Sequence, residues 1–243
     1  MKRKYGSRKS SKARKFRKRS IYRIKRKYKK STKIHLAGVP QSQVVKFRYV
    51  DKFVLDAPNI DTITQQQFRA ASIYDPDFSG TGTTVQNWAA YNVNYAHYQV
   101  LGSKITVRSI NSQATSTYPC MWGIVLSRTT NTLGGTTTSK EILQSNGSFG
   151  GNNKFRTQGG INGMNAYLTR KFSARKFYNI PKKDSVFSYQ GLHSLFAGNC
   201  SEEPTFTLWC SNVVSGSNPD PQVFHVTIDY ITRVWEPRYQ SSY

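Results

Sequence analysis

The chain has 243 residues, with 36 Lys and Arg against 12 Asp and Glu, a formal charge of +24 at neutral pH. Its apolar share of 37 % lies below the usual ~45–50 %. No run of about 18 apolar residues is present and no apolar segment follows the basic start, so neither a membrane-spanning helix nor a secretory leader is expected. Abundant aromatics (15 Tyr, 13 Phe, 4 Trp) with many Thr, Ser, Asn and Gly favour twisted sheets joined by long loops.

The charge is unevenly placed. Residues 1–33 hold half of all the Lys and Arg, and the first acidic residue is Asp51. Like charges this dense repel, and few apolar residues are there to offset them, so this arm is expected to be disordered alone and ordered against a polyanion. Its candidate phosphate contacts are Lys2, Arg3, Lys4, Arg8, Lys9, Lys12, Arg14, Lys15, Arg17, Lys18, Arg19, Arg23, Lys25, Arg26, Lys27, Lys29, Lys30 and Lys33. Tyr5, Phe16, Tyr22 and Tyr28 are interleaved among them, a combination of cations for phosphates and rings for unpaired bases. The cations from Arg14 to Lys30 also read as a nuclear localisation signal. No apolar face recurs at helical spacing, which argues against an interfacial membrane helix. Residues 34–43, with Gly38-Val39-Pro40, read as a linker, and 44–243 as one folded domain.

The body opens with Val44–Leu55, which alternates at period two. Val45, Phe47, Tyr49 and Phe53 share one face, and Lys46, Arg48 and Lys52 the other. Lys46 and Arg48 join the arm as nucleic-acid candidates, with Lys52, Lys104 and Arg108 beside them; the alternative reading of all five is a solvated outer strand face. Residues 65–73 give a second strand and 74–82 a turn. Trp88, Tyr91, Tyr95 and Tyr98 predict one short amphipathic helix over 86–98. Strands follow over 98–110, 118–127 (nearly all apolar, hence central), 165–172, 186–190, 205–214 and 223–235. Residues 129–163 read as a long loop with a turn of helix at Lys140–Leu143, and Lys154 and Arg156 within it are candidate contacts. Eight strands with one helix after the second predict an all-β fold, a single antiparallel jelly-roll sandwich.

Catalytic and metal chemistry find little support. His35, His97, His193 and His225 are scattered, without a metalloprotease pair or a nucleophile elbow, so no enzyme activity, catalytic residue, cofactor or metal is expected. Asp75, Asp77, Ser79 and Gly80 match the opening of a calcium loop, but its twelfth position is Gln86 rather than Glu. Cys120, Cys200 and Cys210 lack metal spacing and read as buried thiols. Asp229, inside the last strand, is expected partly buried, in a structural or inter-subunit pair with Arg or Lys.

Several segments resemble one family in order and spacing. They are Phe68-Arg69-Ala70, Ile73-Tyr74-Asp75-Pro76-Asp77, Gly80-Thr81-Gly82, Trp88-Ala89-Ala90, His97-Tyr98 and Val100-Leu101-Gly102-Ser103-Lys104-Ile105-Thr106-Val107. Arg170-Lys171-Phe172-Ser173-Ala174-Arg175-Lys176-Phe177, Ser194-Leu195-Phe196-Ala197-Gly198-Asn199, Ile228-Asp229-Tyr230 and Trp235-Glu236-Pro237 continue the match over about residues 45–238. The sequence is similar to the capsid proteins of small circular Rep-encoding single-stranded DNA viruses, the circovirus-like group. It departs at Ala71, where Asn is the expected residue, and at 83–86. The resemblance implies a jelly-roll coat subunit, an icosahedral T=1 homo-oligomer of about 60 copies, and an inward arm on a circular single-stranded DNA genome. It further implies localisation in the virion and, during assembly, the host nucleus, with nuclear import receptors and a cell-surface receptor as host partners and no membrane insertion.

Two other readings compete with it. One is a non-viral basic-tailed nucleic-acid-binding protein with a β-sandwich domain; assembly into closed particles separates it from a coat protein. The other, a jelly-roll lectin or attachment protein, is disfavoured by the polycationic arm. Deletion of residues 2–30 is expected to leave the folded domain intact, by circular dichroism, and to abolish most DNA retention. Unchanged salt-dependent binding by the truncated protein would sink this assignment.

Overall fold

A computed structural model describes residues 39–57, 63–80, 82–110, 119–128, 138–144, 154–158, 166–181, 184–214 and 221–238. The arm lies outside these ranges. Among the described residues nine strands follow in chain order: β1 (Ser42–Leu55), β2 (Ile63–Arg69), β3 (Tyr95–Ile110), β4 (Cys120–Ser127), β5 (Lys154–Gln158), β6 (Ala166–Ser173), β7 (His193–Leu195), β8 (Thr205–Asn212) and β9 (Gln222–Pro237). Helix α1 spans Trp88–Asn94, α2 Ser139–Gln144 and α3 Ala174–Phe177.

Pairing is antiparallel throughout the two sheets. The first has the order β1-β9-β3-β6, with the three-residue β7 beside the start of β3; the second has β2-β8-β4-β5. Setting β7 aside, the first strand pairs with the last, the second with the last but one, and so inward to β4 with β5. This nested pairing, wound over two packed sheets, is the jelly roll. Period-two side chains then decide what fills the space between the sheets. In β9 every second residue from Gln222 to Val234 is buried, and β1 contributes Phe47, Tyr49 and Leu55. The second sheet answers with Phe68, Trp122, Ile124, Phe206 and Leu208. Phe224, for example, meets the ring of Phe53 at 5.8 Å and that of Trp122 at 5.3 Å.

The two sheets differ on their outer faces. Strands β4 and β8 are buried at every position, because Met121, Val125 and Trp209 pack outward against Ile142 of α2, with Ile63 beside them. Burial on both faces is why 118–127 reads as a continuous apolar run. Among the described residues the outer face of the first sheet has no such cover along most of β1, where Val44, Lys46, Arg48, Val50, Lys52 and Val54 are all exposed.

Residues 69–78 connect the two sheets without being a strand themselves. Ala70, Ala71, Ser72 and Ile73 are buried. Their carbonyls take donors from core side chains: Tyr230 Oη donates to Arg69 O (2.7 Å) and Ser103 Oγ to Ala70 O (2.6 Å). The Cys200 Sγ lies 3.6 Å from Ala71 O and 2.8 Å from Glu202 O, and burial pushes this thiol up to about 12, so it keeps its proton to donate. Ser72 Oγ donates to Asn199 Oδ1 (2.6 Å) and shares a hydrogen bond with Tyr98 Oη (3.0 Å). Arg69 closes the loop. Its Nη1 donates to Asp75 O (2.9 Å), Asp77 O (3.2 Å) and Asp75 Oδ2 (3.0 Å), its Nε is 3.4 Å from Glu203 Oε1, and its guanidinium lies 4.3 Å from the Phe78 ring centre.

Several sequence expectations need correction. The predicted second strand stops at Arg69, because residues 70–73 turn inward for side-chain donors in place of a neighbouring strand. The helix occupies Trp88–Asn94 only; Tyr95 and Tyr98 begin β3, so their helical spacing was fortuitous. Val186–Gln190 is not a strand. It forms 3₁₀ turns over Val186–Ser188 and Gln190–Leu192, since Gln99 Nε2 bonds to Val186 O (3.0 Å) and Tyr189 O (3.3 Å) and withdraws them from ladder pairing. Strand β5 lies inside the stretch read as loop, and α2 falls at the expected turn of helix.

Arg69 holds three acceptors through Nη1 and faces a fourth, Glu203, through Nε while mostly buried. Arg69→Leu leaves Asp75 and Glu203 without their cation, and is expected to lower stability by about 3–5 kcal/mol in urea denaturation. Arg69→Lys, with no planar fork, should recover only part of the loss.

Candidate nucleic-acid interface

The open face of the first sheet collects cations from four strands. Alternation along β1 turns Lys46, Arg48 and Lys52 outward, as the sequence predicts. Register then sets the neighbours. Arg48 stands opposite Asp229, Asp229 opposite Lys104, and Lys104 opposite Lys171. Two residues along, about 7 Å at strand rise, Val50, Thr227, Thr106 and Thr169 form a neutral row. A further step brings Lys52, His225, Arg108 and Tyr167 into line, the tyrosine 64 % exposed. Lys46 beside Ile231, and Arg233 one step beyond, extend the charge towards the start of β1.

Asp229 is the acid set among these rows. Its Oδ1 accepts from Arg48 Nε at 2.7 Å and its Oδ2 is 3.5 Å from Lys104 Nζ, with 31 % of its side chain exposed. That is the partly buried pairing expected from the sequence. The pairing is incomplete as neutralisation: Arg48 remains 61 % and Lys104 44 % exposed, and Lys171 directly faces Lys104. Like charges set directly opposite on one sheet face are destabilising. A bound polyanion removes that penalty, and exposed, closely spaced cations over a neutral floor suit a chain of phosphates better than a single anion.

The candidate residues divide clearly. Lys46, Arg48, Lys52, Lys104 and Arg108 share this face. The arm cations lie outside the described residues, and Lys154 and Arg156 fall on β5, whose side chains are likewise outside the description. Sequence reasoning passed over Lys171 and Arg233. Alternation within β6 and β9 carried the signal, but neither strand's partner was known. His97 and His193, far apart in sequence, both pack on Trp235.

A cleft of about 390 Å³ lies between β1 and the turn after β2, lined by Asp51, Lys52, Phe53, Gln66, Asp77, Ser79, Gly82 and Thr83. Its carboxylates are already engaged. Asp51 accepts from Tyr49 Oη (2.8 Å) and Lys52 N (2.7 Å), and Asp77 from Ser79 N (3.0 Å), Ser79 Oγ (2.7 Å) and Gln66 Nε2. The calcium-like spacing is thus the chemistry of a turn. Among the described residues no group of three or more His, Cys, Asp or Glu is placed to hold a metal, and no helix is long and apolar enough to cross a membrane.

No protein-family model matches the chain, and no curated protein does. Solved structures resemble it in shape. That of Desmodium yellow mottle tymovirus is 15 % identical, with 83 % of this chain and 92 % of that one covered and a TM-score of 0.41. Turnip yellow mosaic virus gives 11 %, 84 %, 86 % and 0.46. The decameric BFDV capsid protein gives 10 %, 80 %, 99 % and 0.45.

Replacing Asp229 by Asn keeps its shape and frees Arg48 and Lys104. The full chain should then bind single-stranded DNA more tightly, and the slope of log K against log salt should steepen by about 0.7–1.4. Filter binding between low and moderate salt checks it; an unchanged slope would show that these cations do not meet phosphate.

Proposed function

We propose that this chain is the coat subunit of a small icosahedral virus of the circovirus-like group, and that it packages circular single-stranded DNA. The observation that carries the proposal is the continuity of charge. One outer sheet face is sealed by apolar side chains and the other is open and cationic, and the strand that begins the open face, β1, follows the basic arm in sequence after a short linker. Residues 1–33 are the genome-binding arm, 34–43 the linker and 44–243 the shell domain. The arm cations with Lys46 and Arg48 make the primary phosphate contacts. In a T=1 shell of about 60 copies, eighteen arm cations each would neutralise on the order of a thousand phosphates. That suits a genome of order one to two thousand nucleotides. Arg14 to Lys30 serve as a nuclear localisation signal for import receptors, placing assembly in the host nucleus and the product in the virion.

The sequence resemblance supports this reading, and the fold explains why its segments matter. Phe68-Arg69-Ala70 and Ile73 to Asp77 are the loop whose carbonyls and carboxylates the core and Arg69 hold; Ser194 to Asn199 and Tyr230 supply its partners. The role is structural: the proposal assigns no catalytic step and no cofactor.

Negative-stain electron microscopy of the purified full chain near physiological salt, with absorbance at 260 and 280 nm on the same fraction, tests it. Closed particles of uniform size carrying nucleic acid are expected. Soluble monomers that bind DNA and never close would instead establish a basic-tailed binding protein.

A further inference from the structure

At the end of the open face where β1 begins, Ser42 is in register with Trp235, and Trp235 with His97. The His97 ring stacks on the indole at 5.5 Å and 14°, and His193 of β7 meets it edge-on at 5.0 Å and 63°. The Arg233 guanidinium lies 5.4 Å from the Trp235 ring centre and 4.2 Å from that of Phe187. His97, Trp235, Arg233 and Phe187 thus make a ladder of flat groups.

The outermost rung is held in place on purpose-built contacts. Phe187 sits in the first 3₁₀ turn, which Gln99 pins through Val186 O and Tyr189 O. His193 Nε2 lies 2.8 Å from the carbonyl of Phe187 itself, and Ser185 Oγ accepts its amide at 3.2 Å. Phe187 nonetheless remains 40 % exposed. At the other end Glu236 adopts a left-handed backbone, φ 59°, with its carboxylate 3.1 Å from His97 Nε2.

We propose that this ladder takes an unpaired base of a single-stranded nucleic acid, which stacks on Phe187 while its phosphates follow Arg233, Lys46 and Arg48 onto the cationic rows. An exposed aromatic ring held from behind by a guanidinium offers a base a preset face to stack on. Bases inside a duplex are already stacked and cannot reach it, so the site favours single strands. The occupant follows from charge and from chain order, because the strand entering beside Trp235 is the one the basic arm leads into. The inference deepens the coat-protein reading and rests on nucleic-acid binding by that protein.

The test uses the full chain and an oligonucleotide of about 12 residues, within the usual site size of single-strand binders, carrying 5-iododeoxyuridine. Ultraviolet crosslinking and peptide mapping are expected to give adducts at Phe187 or Trp235 with the single strand and none with the same sequence as duplex. In parallel, the affinity ratio between a thymidine oligonucleotide and its abasic counterpart should fall about fivefold or more in Phe187→Ala. Phe187→Leu, which keeps apolar packing and removes the π face, should lower it likewise. Adducts confined to residues 1–38, with an unchanged ratio in both variants, would overturn the ladder and leave the coat-protein reading standing. Loss of shell closure in the variants without adducts at Phe187 or Trp235 would also overturn it, making this face a contact between copies. Failure of the wild type to bind any nucleic acid would overturn the coat-protein reading itself.

Discussion

Three consecutive buried carbonyls, those of Arg69, Ala70 and Ala71, are the constraint on which the described structure turns. A buried carbonyl without a donor costs of the order of 1–3 kcal/mol, and among the described residues no strand supplies one. The core supplies side chains in its place. Tyr230 comes from β9 and Ser103 from β3, and the single Cys200 proton, from the segment before β8, is shared between Ala71 O and the nearer Glu202 O, so both sheets and their connections must be in place before the loop is satisfied. Burial keeps Tyr230 and Cys200 protonated, and hence donors. Arg69, reaching the other way to Asp75, Asp77 and Glu203, ties the same loop to the strand that precedes it and to the turn before β8. A polar network of this kind is expensive when half-made, and complete networks rigidify a core.

Once the sheets are locked, their outer faces are free to differ. Apolar residues on the back of β4 and β8 draw α2 against them, and that face becomes interior. The back of β1, β9, β3 and β6 carries cations, threonines and a few isolated apolar residues, which cannot recruit such a cover. The price is electrostatic: Lys104 faces Lys171, and the single acid among the rows, Asp229, engages two cations without neutralising the face. Placement of this surface at the start of β1 joins it in sequence to a much larger charge. The aromatic ladder at that same end gives the surface a second chemistry, one that addresses bases, where the rows address phosphates.

Much of this was legible in local pattern. Strand period is a property of neighbouring residues, so the outward set Lys46, Arg48 and Lys52 and the central position of 118–127 follow from reading two residues at a time. The partly buried Asp229 was legible for the same reason, as an acid inside an alternating strand. What failed was pattern opposed by a distant contact. Val186–Gln190 reads as a short strand, yet Gln99, some ninety residues away, takes its carbonyls. Tyr95 and Tyr98 keep helical spacing with Trp88 and Tyr91, yet a strand begins at Tyr95 because β9 is there to pair with it. Strand β5 hid among Gly, Ser and Asn because it is a short edge element, with a partner on one side only.

The division between sequence and tertiary structure follows from range. The charge division between arm and body, the all-β character and the sidedness of each strand are fixed by composition and by a repeat of two residues, which act within a few ångströms of chain. Which strands become neighbours is decided by packing across the whole domain. Arg48 meets Asp229 across 181 residues, and only the pairing of first strand with last makes that contact possible. The cationic rows, the ladder of His97, Trp235, Arg233 and Phe187, and the donors to the buried carbonyls all assemble from positions remote in sequence. Their chemistry was present in the residues, but their juxtaposition exists only because the two sheets must close over one core.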